Sequence, residues 1–170
     1  MAEITEVTNI EELAVIISEA LEAAGITATL SGGGAVSIYS KNQYMSHDLD
    51  FVTSADHKSL LKAIAPLGFT QGAYKRLYEH PRTKWLVEFP AGPLGFGERT
   101  VALRVITPTL CVIDRLVAYH HWRDPQSWDQ AILVCQNNPI DWDDIALWAK
   151  NEKPEFLEIE RLRAEAGLSS

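Results

Sequence analysis

Asp48 and Asp50 are separated by one leucine and followed by Phe51 and Val52. On a strand, side chains alternate between faces, so the two aspartates point one way and Leu49 and Phe51 the other, into a core. Two carboxylates on one face, about 7 Å apart along the strand, repel each other unless a cation lies between them. Hard oxygen ligands of this kind suit Mg2+ or Mn2+. Upstream, the stretch Ser31-Gly32-Gly33-Gly34 gathers three of the chain's ten glycines at one point. A strand that runs into consecutive glycines and then a helix lets backbone come close to a ligand. The helix start offers N–H groups suited to phosphate oxygens, and Ser31 adds a hydroxyl. Taken alone, these residues describe a metal and phosphate site, set against a plain chain reversal and two solvated acids.

Other reactive residue types give blander readings. His120 and His121 are adjacent on a helical stretch, where neighbours point about 100° apart and do not readily share a metal. His47 adjoins Asp48 and reads as a solvent-facing residue or as a group that touches phosphate. Lys75, Arg76, Arg82 and Lys84, with Tyr74 and Tyr78 among them, form a local basic cluster. It reads as a solvated hairpin or as a contact for a phosphate backbone. Cys111 and Cys135 each lie in an apolar stretch and are expected to be buried thiols without a disulfide, as in a reducing cytoplasm.

These residues must be positioned by a chain of 170 residues with 46% hydrophobic and 22% charged content, the profile of a globular protein able to bury a core. The net charge of −8 argues against broad, unaided nucleic-acid binding. No apolar run approaches the ~20 residues of a membrane helix, and the acidic start lacks a signal-peptide core. A helix is expected from a capping box at Thr8-Asn9-Ile10-Glu11 to about Ala24, stopped by Gly25. Strands follow at 26–30 and 49–53, with a short helix near 34–41 between them. Asp56 should cap a helix ending at Pro66 and Gly68. Segments 73–79, 83–89 and 100–106 read as strands, with 90–98 a loop. Beyond Pro108 the pattern is helical, at about 109–122, 126–136, 141–150 and 154–166, with Trp122, Trp128, Trp142 and Trp148 expected as helical core. The division is an α/β core over 1–107 and a helical region over 108–170 packed on it.

Together the glycines and aspartates resemble the signature of the polymerase-β-like nucleotidyltransferase superfamily. That signature is an apolar residue, Gly-Gly or Gly-Ser, a spacer of roughly a dozen residues and then D-h-[DE]-h, where h is apolar. Here thirteen residues separate Gly33-Gly34 from Asp48-Leu49-Asp50-Phe51. The nearest resemblance is to small bacterial nucleotidyltransferase-like proteins of the abortive-infection toxin type. Ser46 precedes the aspartates as Ser or Thr does there, and "ITPTLCVIDRLVAYHHWRD" (106–124) resembles their strand, TP entry and helix. The resemblance covers about residues 26–124. Arg115 stands where those proteins carry lysine, Arg123-Asp124 where Lys-Asp is common, and Tyr44 where arginine is frequent.

The resemblance implies an α+β fold: a mixed sheet flanked by helices, with further C-terminal helices. It implies a third carboxylate on a neighbouring strand, and Glu88 in "WLVEF" is the good candidate. Asp48, Asp50 and Glu88 would be the catalytic, Mg2+- or Mn2+-binding residues. Ser31, Gly32, Gly33, Gly34 and Arg115 would bind the nucleotide. The implied reaction is transfer of an NMP from an NTP to an acceptor hydroxyl on RNA, protein or a small molecule, in a cytoplasmic protein. A toxin role with an antitoxin protein as partner is implied as well. The alternatives are an inactive nucleotide-binding or regulatory module and a metal-dependent phosphodiesterase using the same acids.

Overall fold

The computed structural model describes residues 4–92, 94–96, 99–101, 105–152 and 158–168. It is an α+β fold with a five-stranded mixed sheet, helices against it and a run of helices after residue 107. Among the described residues no helix is long and apolar enough to cross a membrane.

Helix α1 (Ile10–Ala23) buries Ile10, Leu13, Ala14, Ile17 and Leu21 on one face. Its capping box lies one residue later than expected. The Asn9 side chain accepts from the Glu12 amide at 2.9 Å, and the Glu12 carboxylate accepts from the Asn9 amide at 3.1 Å. Thr8 is instead turned back, its hydroxyl accepting from the Thr5 amide at 2.9 Å. Strand β1 (Thr29–Ser31) leads directly into helix α2 (Gly32–Tyr39). The helix expected near 34–41 thus begins two residues earlier, with Gly32 at its entry in a left-handed backbone, φ +63°.

Strand β2 (Asp48–Val52) alternates half-buried and buried along its length. Asp56 caps helix α3 (His57–Ile64), accepting from the Lys58 and Ser59 amides. A single 3-10 turn (Ala65–Leu67) follows and ends at Gly68, with φ +99°. The next strands are β3 (Thr70–Gln71), β4 (Leu77–Glu79) and β5 (Leu86–Glu88). The sheet order is β1-β2-β5-β4-β3, with β2 and β5 parallel and the other pairs antiparallel.

The expected strand at 73–79 is shorter because residues 72–77 form a turn. The Gly72 amide donates to the Leu77 carbonyl at 2.9 Å, and the Leu77 amide to the Tyr74 carbonyl at 3.1 Å. Within 90–98, expected as a loop, strand β6 (Leu94–Phe96) pairs with β7 (Arg99–Val101) in a separate hairpin. Its glycines had masked it, since backbone pairing needs no side-chain pattern. Of the expected 100–106 strand, Thr100 and Val101 belong to β7, Val105 bridges Leu30, and 102–104 lie outside the described residues.

Helices α4 (Pro108–His121), α5 (Gln126–Asn137), α6 (Trp142–Asn151) and α7 (Ile159–Glu165) follow, with 153–157 of the expected last helix outside the described residues. Thr107 caps α4 through its hydroxyl and Pro108 opens it, since proline's missing N–H has no helical partner there in any case.

Two apolar clusters result. One joins α1 to the sheet through Leu30, Leu49, Phe51, Val87 and Phe89, and the other joins α4–α7 to Ala35 and Val36 of α2. Cys111 and Cys135 are free and buried in the helical cluster. Burial pushes the Cys135 thiol up to about 12 and the Cys111 thiol higher still. Trp128 and Trp148 are core, as expected, and Trp142 packs at the edge. Trp122 is not: it is the C-cap of α4 and 80% exposed.

Candidate active site

The register of β2 on β5 brings the acids together. Asp50 lies opposite Glu88 and Asp48 opposite Leu86 on the parallel neighbour. Residues opposed on adjacent strands share a face, so Glu88 joins the face that already carries both aspartates. Leu49 and Phe51 on the other face are buried, at 0% and 1% exposed. Asp48, Asp50 and Glu88 are each half-buried, and each offers an oxygen within 4.8 Å of the others.

That geometry is costly without a counter-charge. Burial, then the charges of Asp48 and Glu88, pushes the Asp50 carboxyl up to about 7, with Arg115 pulling the other way. Three oxygen donors at this spacing, with one proton-holding carboxyl among them, fit a hard divalent cation. Binding it would offset the repulsion that raises Asp50.

The glycine stretch abuts the acids. Ser31 lies opposite Asp50 across the antiparallel β1–β2 pair, so α2 begins beside the acidic cluster. Gly32 has φ +63°, and a β-carbon there would overlap Asp50 Oδ2. At Gly33 a β-carbon would lie 2.7 Å from Ser46 Oγ and 3.3 Å from the Tyr44 hydroxyl. At Gly34, which is buried, it would lie 3.0 Å from Leu49 Cδ2. Each glycine thus has a packing reason of its own. What they leave accessible is the helix start at Gly32 and Gly33, whose first N–H groups have no partner within the helix.

Ser46 links these parts. Its hydroxyl donates to Asp48 Oδ1 at 2.7 Å, and its amide donates to Ser37 Oγ at 2.8 Å. Ser37 Oγ in turn donates to the Gly33 carbonyl at 3.1 Å. The resemblance pointed to Ser46 as the residue that precedes the aspartates, without a partner for its hydroxyl. Its position two residues before Asp48, on the same face of an extended chain, was the available signal.

Arg115 reaches the site from α4. Its side chain is 13% exposed and lies near enough to Asp50 to lower its pKa. Much of the guanidinium is already engaged: Nε and Nη2 donate to Asp114 Oδ2 at 3.1 and 2.5 Å, and Nη1 donates to Gln130 Oε1 at 3.0 Å. Tyr44 lies among Arg115, Asp48 and Ser46. Asp114 is the chain neighbour of Arg115 on α4, whereas Gln130 carried no sequence signal, because only the α4–α5 packing brings it here.

The basic cluster is divided. Arg76 donates to the carbonyls of Phe89, Thr53 (3.0 Å), Ala55 (3.4 Å) and Pro90 (3.4 Å), a clamp on the ends of β2 and β5. Tyr78 is fully buried and bonded to His57 at 2.7 Å, and Lys84 lies over the Trp85 ring at 4.4 Å. Arg76 and Tyr78 are thus structural, contrary to a phosphate-contact reading. His47 is exposed, and His120 packs edge-on against Tyr119 at 4.9 Å between ring centroids.

No family model matches the chain, and no curated protein matches it. Among solved structures, it is similar to the crystal structure of the Megavirus polyadenylate synthase, with 16% identity and a TM-score of 0.44 over 91% of this chain. The chain spans 39% of that protein's chain.

Proposed function

We propose that this chain is a metal-dependent nucleotidyltransferase that moves an NMP from an NTP to an acceptor hydroxyl. One observation carries the reading. The Asp50–Glu88 register completes a three-carboxylate cluster with Asp48, directly beside the glycine-rich start of a helix. Acids on a rigid sheet next to free N–H groups hold positive charge and phosphate side by side, which is what in-line transfer at phosphorus requires.

In this reading Asp48 and Asp50 hold Mg2+ or Mn2+, with Ser46 fixing Asp48 and the sheet fixing Asp50. Glu88 takes the side facing the acceptor. The Gly32 and Gly33 amides, with Ser31, receive phosphate oxygens, while Gly34 supports the turn from the buried side. Arg115 adds positive charge behind Asp50. The cation, when bound, neutralises charge on the phosphoryl oxygens and lowers the pKa of the attacking hydroxyl. The hydroxyl oxygen would bond to the α-phosphorus as its proton passes to solvent, and the bond to the pyrophosphate leaving group would break.

The acceptor class stays open among RNA, protein and small molecules. A toxin role with an antitoxin partner rests on the likeness of residues 106–124 to toxin-type proteins. The cytoplasmic assignment rests on two buried, unbridged thiols. A second reading, nucleotide binding without turnover, is favoured by one observation: Arg115 is tied to Asp114 and Gln130.

Incubation with each labelled NTP and Mg2+ or Mn2+ tests the proposal, with mass spectrometry of candidate acceptors. Pyrophosphate release that Asp50→Asn abolishes supports transfer. Binding without release supports the second reading, and cleavage of nucleic acid a phosphodiesterase. No NTP binding with either metal overturns both the transfer and the binding readings.

A further inference from the structure

Helix α2 and its C-cap place serines where packing alone calls for apolar residues. Ser37 and Ser40 are both 0% exposed, and burying a hydroxyl is costly unless it is hydrogen-bonded. Both serve the loop that leads into β2. Ser40 Oγ accepts from the Tyr44 amide at 3.1 Å, and the Ser37 carbonyl accepts from the Asn42 amide at 2.9 Å. Lys41 and Asn42 have φ of +53° and +61°, a region that L residues enter at a cost, so the loop depends on these bonds for its shape. The same series reaches Ser46, which is 4% exposed. Ser37 Oγ donates to the Gly33 carbonyl at 3.1 Å and accepts from the Ser46 amide at 2.8 Å. Ser46 Oγ then donates to Asp48 Oδ1 at 2.7 Å. A hydroxyl has one hydrogen to give. That of Ser37 is committed to Gly33, which turns its lone pairs to the Ser46 amide, and that of Ser46 is committed to Asp48.

We infer that Ser37 is a positioning residue for Asp48: its hydroxyl fixes the backbone of Ser46 so that the Ser46 hydroxyl holds Asp48 Oδ1 and orients that carboxylate for the cation it shares with Asp50 and Glu88. The inference rests on the metal-site reading proposed above and extends it to a buried residue of another element. Groups that orient a metal ligand from behind lower metal affinity by about 10–100-fold when removed. Ser46 is such a group. Ser37 stands one bond further back, so its removal has a smaller effect that passes through the Ser46 hydroxyl. The relay also ties the two halves of the site together, since it starts at a carbonyl in the first turn of α2 and ends on an acid of β2.

The test uses the whole chain and Mn2+ alone, with free Mn2+ read from its electron paramagnetic resonance signal and circular dichroism checking that each variant is folded. Four proteins are compared: wild type, Ser37→Ala, Ser46→Ala and the double variant, with Asp50→Asn as the site control. Alanine is the better helix former, so Ser37→Ala removes the hydroxyl and leaves α2 a helix. Where that variant does not fold, Ser37→Cys, a weaker donor and acceptor, takes its place in the same comparison. The expected result is a loss of Mn2+ affinity of about 10-fold or more in Ser46→Ala and of about 3-fold or more in Ser37→Ala, with no further loss on adding Ser37→Ala to Ser46→Ala. Wild-type affinity in either single variant, with Asp50→Asn still impaired, overturns the inference and leaves the metal site standing. A Ser37→Ala loss of the same size in the Ser46→Ala background also overturns it, because Ser37 then acts through something other than the Ser46 hydroxyl. Equal Mn2+ binding by wild type and Asp50→Asn removes the metal site itself, and the role of Ser37 with it.

Discussion

Gly32 and Asp50 occupy one another's space: a β-carbon on residue 32 would overlap the Asp50 carboxylate. The contact is made across the antiparallel β1–β2 pair, where Ser31 faces Asp50. The helix start and the central acid are thereby packed against each other.

Gly32→Ala should therefore act twice. The backbone at φ +63° disfavours an L side chain, at a cost of about 1–2 kcal/mol, and the new methyl must push Asp50 aside. The expected outcome is a lower melting temperature and a loss of the stabilisation that Mn2+ gives the wild type. Gly33→Ala, which meets no left-handed backbone but would press on Ser46 Oγ at 2.7 Å and Cβ at 3.2 Å, should cost less stability. If Gly32→Ala melts like the wild type and responds to Mn2+ in full, that packing is not there.

The metal-free protein should lose stability as pH rises from about 4 to about 7. Asp50 is held near 7 in the fold against an ordinary 3.8. Between those values the folded state keeps a proton that the unfolded chain has lost, so stability falls with rising pH. Thermal melts in EDTA across that window should slope downward for the wild type, with Asp50→Asn flatter. Mn2+ should stabilise more at the upper end, where binding no longer competes with the proton. A wild-type slope matching that of Asp50→Asn would show that Asp50 titrates normally.

Arg76→Lys should destabilise by about 2 kcal/mol or more. One guanidinium serves four carbonyls, hydrogen bonds to a charged group contribute about 1.5–3 kcal/mol each before non-additivity, and an ammonium cannot reproduce the planar fork. Urea unfolding measures the change. A variant as stable as wild type would return Arg76 to the pool of solvated surface charges.

Glu88→Gln should lower turnover at least about 100-fold and leave NTP affinity almost unchanged, since the proposed role of Glu88 lies on the acceptor side and in the transition state. Single-turnover kinetics beside equilibrium NTP binding separate the two. A rise in the NTP dissociation constant at unchanged turnover would move Glu88 to the nucleotide side of the site.

What could be read from residues alone followed from short periods and local chemistry. The alternation Asp48-Leu49-Asp50-Phe51 gave a strand and its buried face, and Asp56, Pro108 and Gly68 marked helix ends where the structure has them. Glu88 could be singled out as an acid within an apolar strand, but its register with Asp50 depends on two strands pairing across 38 residues. The role of Arg76 was hidden, because it comes from a tight turn that places a cationic group inward against carbonyls of distant segments. Trp122 was misread as core because helical spacing cannot tell a last buried turn from the residue just past it.

Helix α2 has a consequence for how the chain can be divided. Its first residues abut β2, and its Ala35 and Val36 lie at 0% exposure in the cluster formed with α4–α7. At its far end the Tyr39 hydroxyl donates to the Ile106 carbonyl at 2.6 Å, and Asn138 donates to the Tyr39 carbonyl at 2.8 Å. A cut after residue 107 would thus strip the covering from the helix that begins at the acids. The fragment 1–107 would have its full set of acidic and glycine residues and yet lack the support that keeps α2 in register. For this architecture the helical region supports the helix that begins at the acids, and recombination could exchange it only together with the apolar side of an eight-residue helix.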